Sequence, residues 1–139
     1  MIKIKNVMSY VYDELTKLAP TYFEDMDRKE DGSIDVNETS IVYNIDGMFQ
    51  FTDNKARSEV PLTLDIWYLK KDTFEVEDLV FTIDKLFVDS IQRIDGSIFK
   101  FSKPEDFVIN ISDDGTGDKR TGSNIRRKRV NLLINYYKY

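Results

Sequence analysis

The chain contains no cysteine and no histidine. Without cysteine there is no disulfide framework, no thiolate metal site and no cysteine nucleophile. Without histidine the commonest metal ligand and the commonest general base are both missing, and a standard Ser-His-Asp triad cannot be built. Glycine is scarce at 6 residues, four of which follow an aspartate, and no glycine-rich strand-to-helix turn is present to cradle a phosphate. No run approaches the ~18 to 20 apolar residues of a membrane span. The opening MIKIKNVMSYVYDEL lacks the sustained apolar stretch and small-residue cleavage site of a secretory signal. These absences point away from an enzyme, a secreted protein or a membrane protein, and toward use in a cytoplasm.

What is present suits one ordinary domain. A length of 139 residues with 41% hydrophobic and 32% charged residues can bury a core without staples. No repeat or low-complexity block divides the chain, so a single domain over residues 1–139 is expected. The net charge of −5 is unevenly spread. Residues 119–139 hold seven Lys or Arg and no acid, which leaves 13 basic against 25 acidic residues, or −12, in residues 1–118. Such a split marks a surface that meets an acidic neighbour or a nucleic acid.

Hydrophobic spacing predicts the elements. Ile4, Val7, Met8, Val11, Leu15 and Leu18 keep a helical rhythm that Pro20 ends. Period-two alternation follows, with Ile41, Tyr43 and Ile45 on one strand face, Leu62, Leu64, Ile66 and Tyr68 on another, and Phe107, Ile109 and Ile111 on a third. Asp-Gly pairs at 31–32, 46–47, 95–96 and 114–115 are expected as hairpin turns, since both residue types tolerate positive φ. A second helix opens at Asp72, with Glu75 as its capping-box partner, and carries Val76, Leu79, Val80, Ile83, Leu86 and Phe87 on one stripe. Phe74, Phe81 and Val88 fall roughly 120° to 160° from Val76 and form a second stripe, a candidate subunit interface. In the closing strand, Val130, Leu132, Ile134 and Tyr136 alternate with Arg127, Arg129, Asn131, Leu133 and Asn135. The fold class is α+β: a mixed, mainly antiparallel sheet with hairpins, an N-terminal helix and one central helix packed on it. Mobile loops are expected at about 27–38, 49–60 and 113–124.

Three clusters are candidates for chemistry. Residues 27–38, DRKEDGSIDVNE, set Asp27, Asp31, Gly32, Ile34, Asp35 and Glu38 on positions 1, 5, 6, 8, 9 and 12 of an EF-hand loop. Lys29, however, puts an ammonium where a ligand oxygen belongs, and both flanks read as extended rather than helical. Asp27, Asp31, Asp35 and Glu38 are therefore the metal candidates of a segment better explained as a solvated acidic hairpin tip, and no cofactor is expected. A metal nuclease would draw on Asp25, Asp27 and Lys29, or on Asp65 and Lys70, neither with convincing spacing. The basic cluster Lys119, Arg120, Arg126, Arg127, Lys128 and Arg129 lacks the interleaved aromatics of base stacking, so sequence-specific nucleic-acid binding is not expected. It suits a complementary protein surface, such as the acidic remainder of a second copy.

The N-terminal amphipathic helix, the strand–turn–helix PLTLDIWYLKKDTFEVEDLVFTIDKLF and the Arg-rich closing strand IRRKRVNLLINYY follow one another in an order that resembles the tail terminator, or tail-to-head joining, proteins of long-tailed bacteriophages. The resemblance covers most of the chain and carries no catalytic signature. It implies a virion structural protein that forms a hexameric ring on the head-proximal end of the tail tube. Its partners would be further copies of itself, the major tail tube protein and a head-closure or connector protein. It would reside at the head–tail interface of the virion after assembly in the host cytoplasm. A head-closure or neck subunit is the nearest alternative; a small acidic metal-binding module or nuclease is the alternative of another class.

Overall fold

The computed structural model describes residues 4–24, 38–45, 50–51, 57–94, 97–111 and 125–137. In chain order the elements are α1 (Ile4–Thr16), β1 (Thr21–Phe23), β2 (Ser40–Ile45), β3 (Gln50–Phe51), β4 (Arg57–Leu69), a 3-10 turn (Lys70–Asp72), α2 (Thr73–Phe87), β5 (Ile91–Ile94), β6 (Ser97–Ser102), β7 (Val108–Ile111) and β8 (Ile125–Tyr137). The strands form one eight-stranded sheet in the order β1-β2-β4-β8-β6-β5, with β3 also on β4 and β7 also on β8. Among the described strands only β1 and β2 pair in parallel, and the other ladders are antiparallel. This is an α+β fold.

The spine is the ladder of β4 and β8, 13 residues each, paired from Arg57↔Tyr137 to Leu69↔Ile125. Alternation along both strands decides what faces the helices. Val60, Leu62, Leu64, Ile66 and Tyr68 of β4, and Val130, Leu132 and Ile134 of β8, are buried in one cluster with Val7, Val11 and Leu15 of α1 and Val76, Val80, Ile83 and Phe87 of α2. Both helices therefore lie over the same sheet face. Each such side chain contributes roughly 1.5–3 kcal/mol on burial, so this cluster dominates the folding free energy. An aromatic seam ties the layers together: Tyr10 of α1 lies 6.1, 5.7 and 6.2 Å from the rings of Phe87, Phe99 and Phe101. The helix-free face holds a smaller buried cluster of Val42, Trp67 and Ile125, flanked by Tyr22 and Leu69.

Several local expectations are corrected. The described strands on either side of residues 27–38, β1 and β2, pair in parallel with each other, while the hairpin tip expected at Asp31-Gly32 lies outside the described residues. β2 and β3 are both antiparallel to β4, so the chain keeps its direction past Asp46-Gly47 instead of reversing there. The expected loop over 49–60 is strand at 50–51 and 57–60, because Arg57 to Val60 extend the ladder to β8. The Asp72 carboxylate accepts no capping hydrogen bond from α2; a 3-10 turn precedes the helix, and the Thr73 hydroxyl donates to the Lys70 carbonyl. Phe107 precedes β7 and packs on the main core, so it does not share a face with Ile109 and Ile111, which pair with Arg129 and Arg127. At Asp95-Gly96 the flanking strands do pair antiparallel, up to Ile94↔Ser97. The Asp-Gly pairs themselves and the expected loop at 113–124 lie outside the described residues.

Candidate assembly surface

The pleat of β8 divides the basic cluster between two sides of the sheet. Lys128 shares the helix side with Val130, is 5% exposed, and donates its Nζ to the Glu77 carboxylate on α2. Arg129 points to the other side and grips Asp65, its register partner on β4, through Nε to Oδ1 at 2.8 Å and Nη2 to Oδ2 at 3.2 Å. Arg127 lies with its guanidinium carbon 4.8 Å from the centroid of Trp67, again its register partner, in cation–π contact. Its Nε is buried and has no hydrogen-bond partner among the described residues. Arg126 donates to the Ile125 carbonyl at 3.2 Å. The four described members thus do not make one patch, and each of them is engaged within the subunit. Lys119 and Arg120 lie outside the described residues.

The acidic candidates divide similarly. Asp65 is 6% exposed with both oxygens engaged by Arg129, while Lys70 sits exposed in the 3-10 turn. Glu38 is exposed ahead of β2; Asp25, Asp27, Lys29, Asp31 and Asp35 lie outside the described residues. Among the described residues, no three acidic, His or Cys side chains gather as a metal site. No described helix is long and apolar enough to cross a membrane.

The outward side of α2 carries Phe74, the most exposed large apolar side chain among the described residues. Phe74 is 83% exposed and Phe81 59%. Val88, expected beside them, is not on this face: the helix ends at Phe87, and Val88 turns extended, bridges in parallel to Phe101 and packs on the core. The charges around the two rings differ by flank. On one side Glu77 and Asp84 are held by Lys128 and Lys103, the latter pair at 2.9 Å. On the other, Glu75 and Asp78 are exposed and form no ion pair among the described residues. With Glu38 they line a cleft of about 440 Å³ that also takes in Leu18, Pro20 and Leu79. Lys85 lies over the Phe81 ring, its Nζ 4.5 Å from the centroid.

Both sheet edges also expose apolar groups, a feature the sequence reading did not single out. At one edge Phe23 of β1 and Tyr12 of α1 lie 5.1 and 6.3 Å from the Tyr43 ring. Burial raises the pKa of the Tyr43 hydroxyl above its ordinary value, with smaller contributions from Tyr12 and Asp13. At the opposite edge Ile91 is 61% exposed and Arg93 is exposed on the same side, while Ile94, the next residue along, turns to the other side and packs on the core. Their register partners on β6, Lys100 and Ile98, share the helix-free face. The stretch IQRI carried this signal, since its alternation puts Ile91 and Arg93 on one side. Chemically, these surfaces offer apolar contact bordered by charge, the makings of a protein–protein interface.

No protein-family profile matches the chain, and no curated protein matches it in sequence. In fold it is similar to a solved protein structure that bears no functional description, with a TM-score of 0.62, 12% identity, and coverage of 100% of this chain and 99% of that one. At that identity the likeness concerns the fold alone.

Proposed function

We propose that this chain is a phage virion structural protein, a tail terminator that caps the head-proximal end of the tail tube as a ring and joins the tail to the head connector. The observation that supports this reading is the pair of exposed phenyl rings, Phe74 and Phe81, on the outward side of α2. A soluble chain seldom leaves such rings bare on a helix unless something covers them in use. Its partners on this reading are neighbouring copies, the tail tube protein and the head-closure protein, and its place is the head–tail interface of the virion. Because the free subunit would act only at a finished tube, self-association is expected on the tube more than in dilute solution.

Replacing Phe81 by Asp tests this reading. The ring is 59% exposed, so the variant is expected to fold with an unchanged circular-dichroism spectrum and a melting midpoint within a few degrees of wild type. It is expected not to co-sediment with tail tubes that the wild-type chain binds. A folded variant that binds tubes as well as wild type contradicts the assignment of this face.

A further inference from the structure

Resting on the ring reading above, we infer that the outward face of α2 in one copy seats against the helix-free face of the β5–β6 pair in the next copy. The two surfaces complement each other in both chemical respects. One offers Phe74 and Phe81, with Lys85 over the Phe81 ring and the carboxylates of Glu75 and Asp78 alongside, and the other offers exposed Ile91 and half-buried Ile98 bordered by Arg93 and Lys100. Lys100 stands 3.6 Å from the mostly exposed Asp89 carboxylate, a loose surface pair that exchanges readily for a closer partner.

The same charges decide against symmetric pairing. Two α2 faces brought together would oppose Glu75 and Asp78 with their own copies, and two β5 edges would oppose Arg93 with Arg93. Like charges across an interface are strongly disfavoured, whereas the mixed contact meets opposite charges at each border. The two surfaces also lie on opposite sides of the sheet, because both helices cover one face while Ile91 and Arg93 point to the other. A contact between unlike surfaces is head-to-tail: it leaves a pair of copies with one unused surface of each kind, and it ends only when the succession closes as a ring. Laying a helix on an open sheet face is also the layer packing that α+β domains use internally.

The absence of native cysteine makes the test clean. Phe81→Cys and Ile91→Cys chains, mixed and oxidised, are expected to give a disulfide-linked dimer that neither chain gives alone. The doubly substituted chain is expected to give a ladder of longer oligomers. Phe74→Cys replaces Phe81→Cys should the latter fold poorly. In parallel, Asp78→Arg and Arg93→Asp are each expected to raise the concentration needed for assembly on tail tubes by at least about tenfold, and a chain carrying both to recover most of that loss. Wild-type rings on tubes with no mixed cross-link and no rescue overturn this contact while leaving the terminator reading standing. Specific cross-links with no binding to tubes sustain the contact and overturn the terminator reading. No mixed cross-link between the cysteine variants together with no tube binding by the wild-type chain overturns both.

Discussion

Asp65 and Arg129 face each other across the central ladder, and their two hydrogen bonds on the helix-free side show how this molecule uses its basic strand. The Asp65 side chain is 9% exposed and that of Arg129 36%. Removing one partner of a fully buried pair costs ~3–5 kcal/mol, and water reaching Arg129 lowers the expectation to about 2–3 kcal/mol for Asp65→Ala. Urea denaturation should show that loss as a lower midpoint at unchanged slope. Lys128 behaves differently. Its stem lies between β8 and α2, and only its ammonium needs Glu77. Lys128→Met keeps the stem and removes the charge, so it is expected to change stability by less than about 1 kcal/mol, whereas Glu77→Ala leaves a buried cation unpaired and costs more. A larger loss for Lys128→Met than for Glu77→Ala in the same denaturation experiment would contradict this account. The division of Arg127 and Arg129 from Lys128 was legible, since a strand alternates. Glu77 as the partner of Lys128 was not, because 51 residues separate the two and charge patterning carries no register.

At the scale of elements, α2 shows where periodicity informs and where it stops. Val76, Val80, Ile83 and Phe87 form the buried stripe that the 3.6-residue rhythm predicts. Val88 fell on the second stripe only if the helix continued, and a helix end is poorly marked when no glycine or proline follows. Here the terminating residue is Asp89, held at φ 63°, with its N–H donating to the Phe101 carbonyl. The left-handed region is costly for a residue with a Cβ and free of that cost for glycine. Asp89→Gly is therefore expected to stabilise the fold by about 1 kcal/mol, net of the loose pair with Lys100, and to raise the melting midpoint by a few degrees. A fall in the midpoint would show that Asp89 contributes more through its carboxylate than its backbone costs. The strands were found by alternation, which identifies a strand and its faces. It does not give pairing direction, so the parallel β1–β2 ladder and the shared alignment of β2 and β3 on β4 could not be anticipated.

For the whole molecule, the α+β class and the composition of the core were legible because long amphipathic elements leave few ways to bury Val, Leu, Ile and Phe. The candidate surface was legible in half. Phe74 and Phe81 stood out on the helix, whereas Ile91 and Arg93 gain meaning only from the edge position of β5, which topology alone reveals. Magnitudes favour assembly on a template. Burying one phenyl ring contributes roughly 1.5–3 kcal/mol, below the ~4–15 kcal/mol that association costs in lost freedom. On the proposed reading, two rings per contact would leave a weak pair in solution and a stable ring only once a tube end holds the copies together. The most direct measurement is electron microscopy of polymerising tail tube protein with and without this chain. The account predicts tubes that stop growing and carry a ring of this protein at one end. Tubes that elongate past it with bare ends, while the folded chain stays in the supernatant, would contradict it.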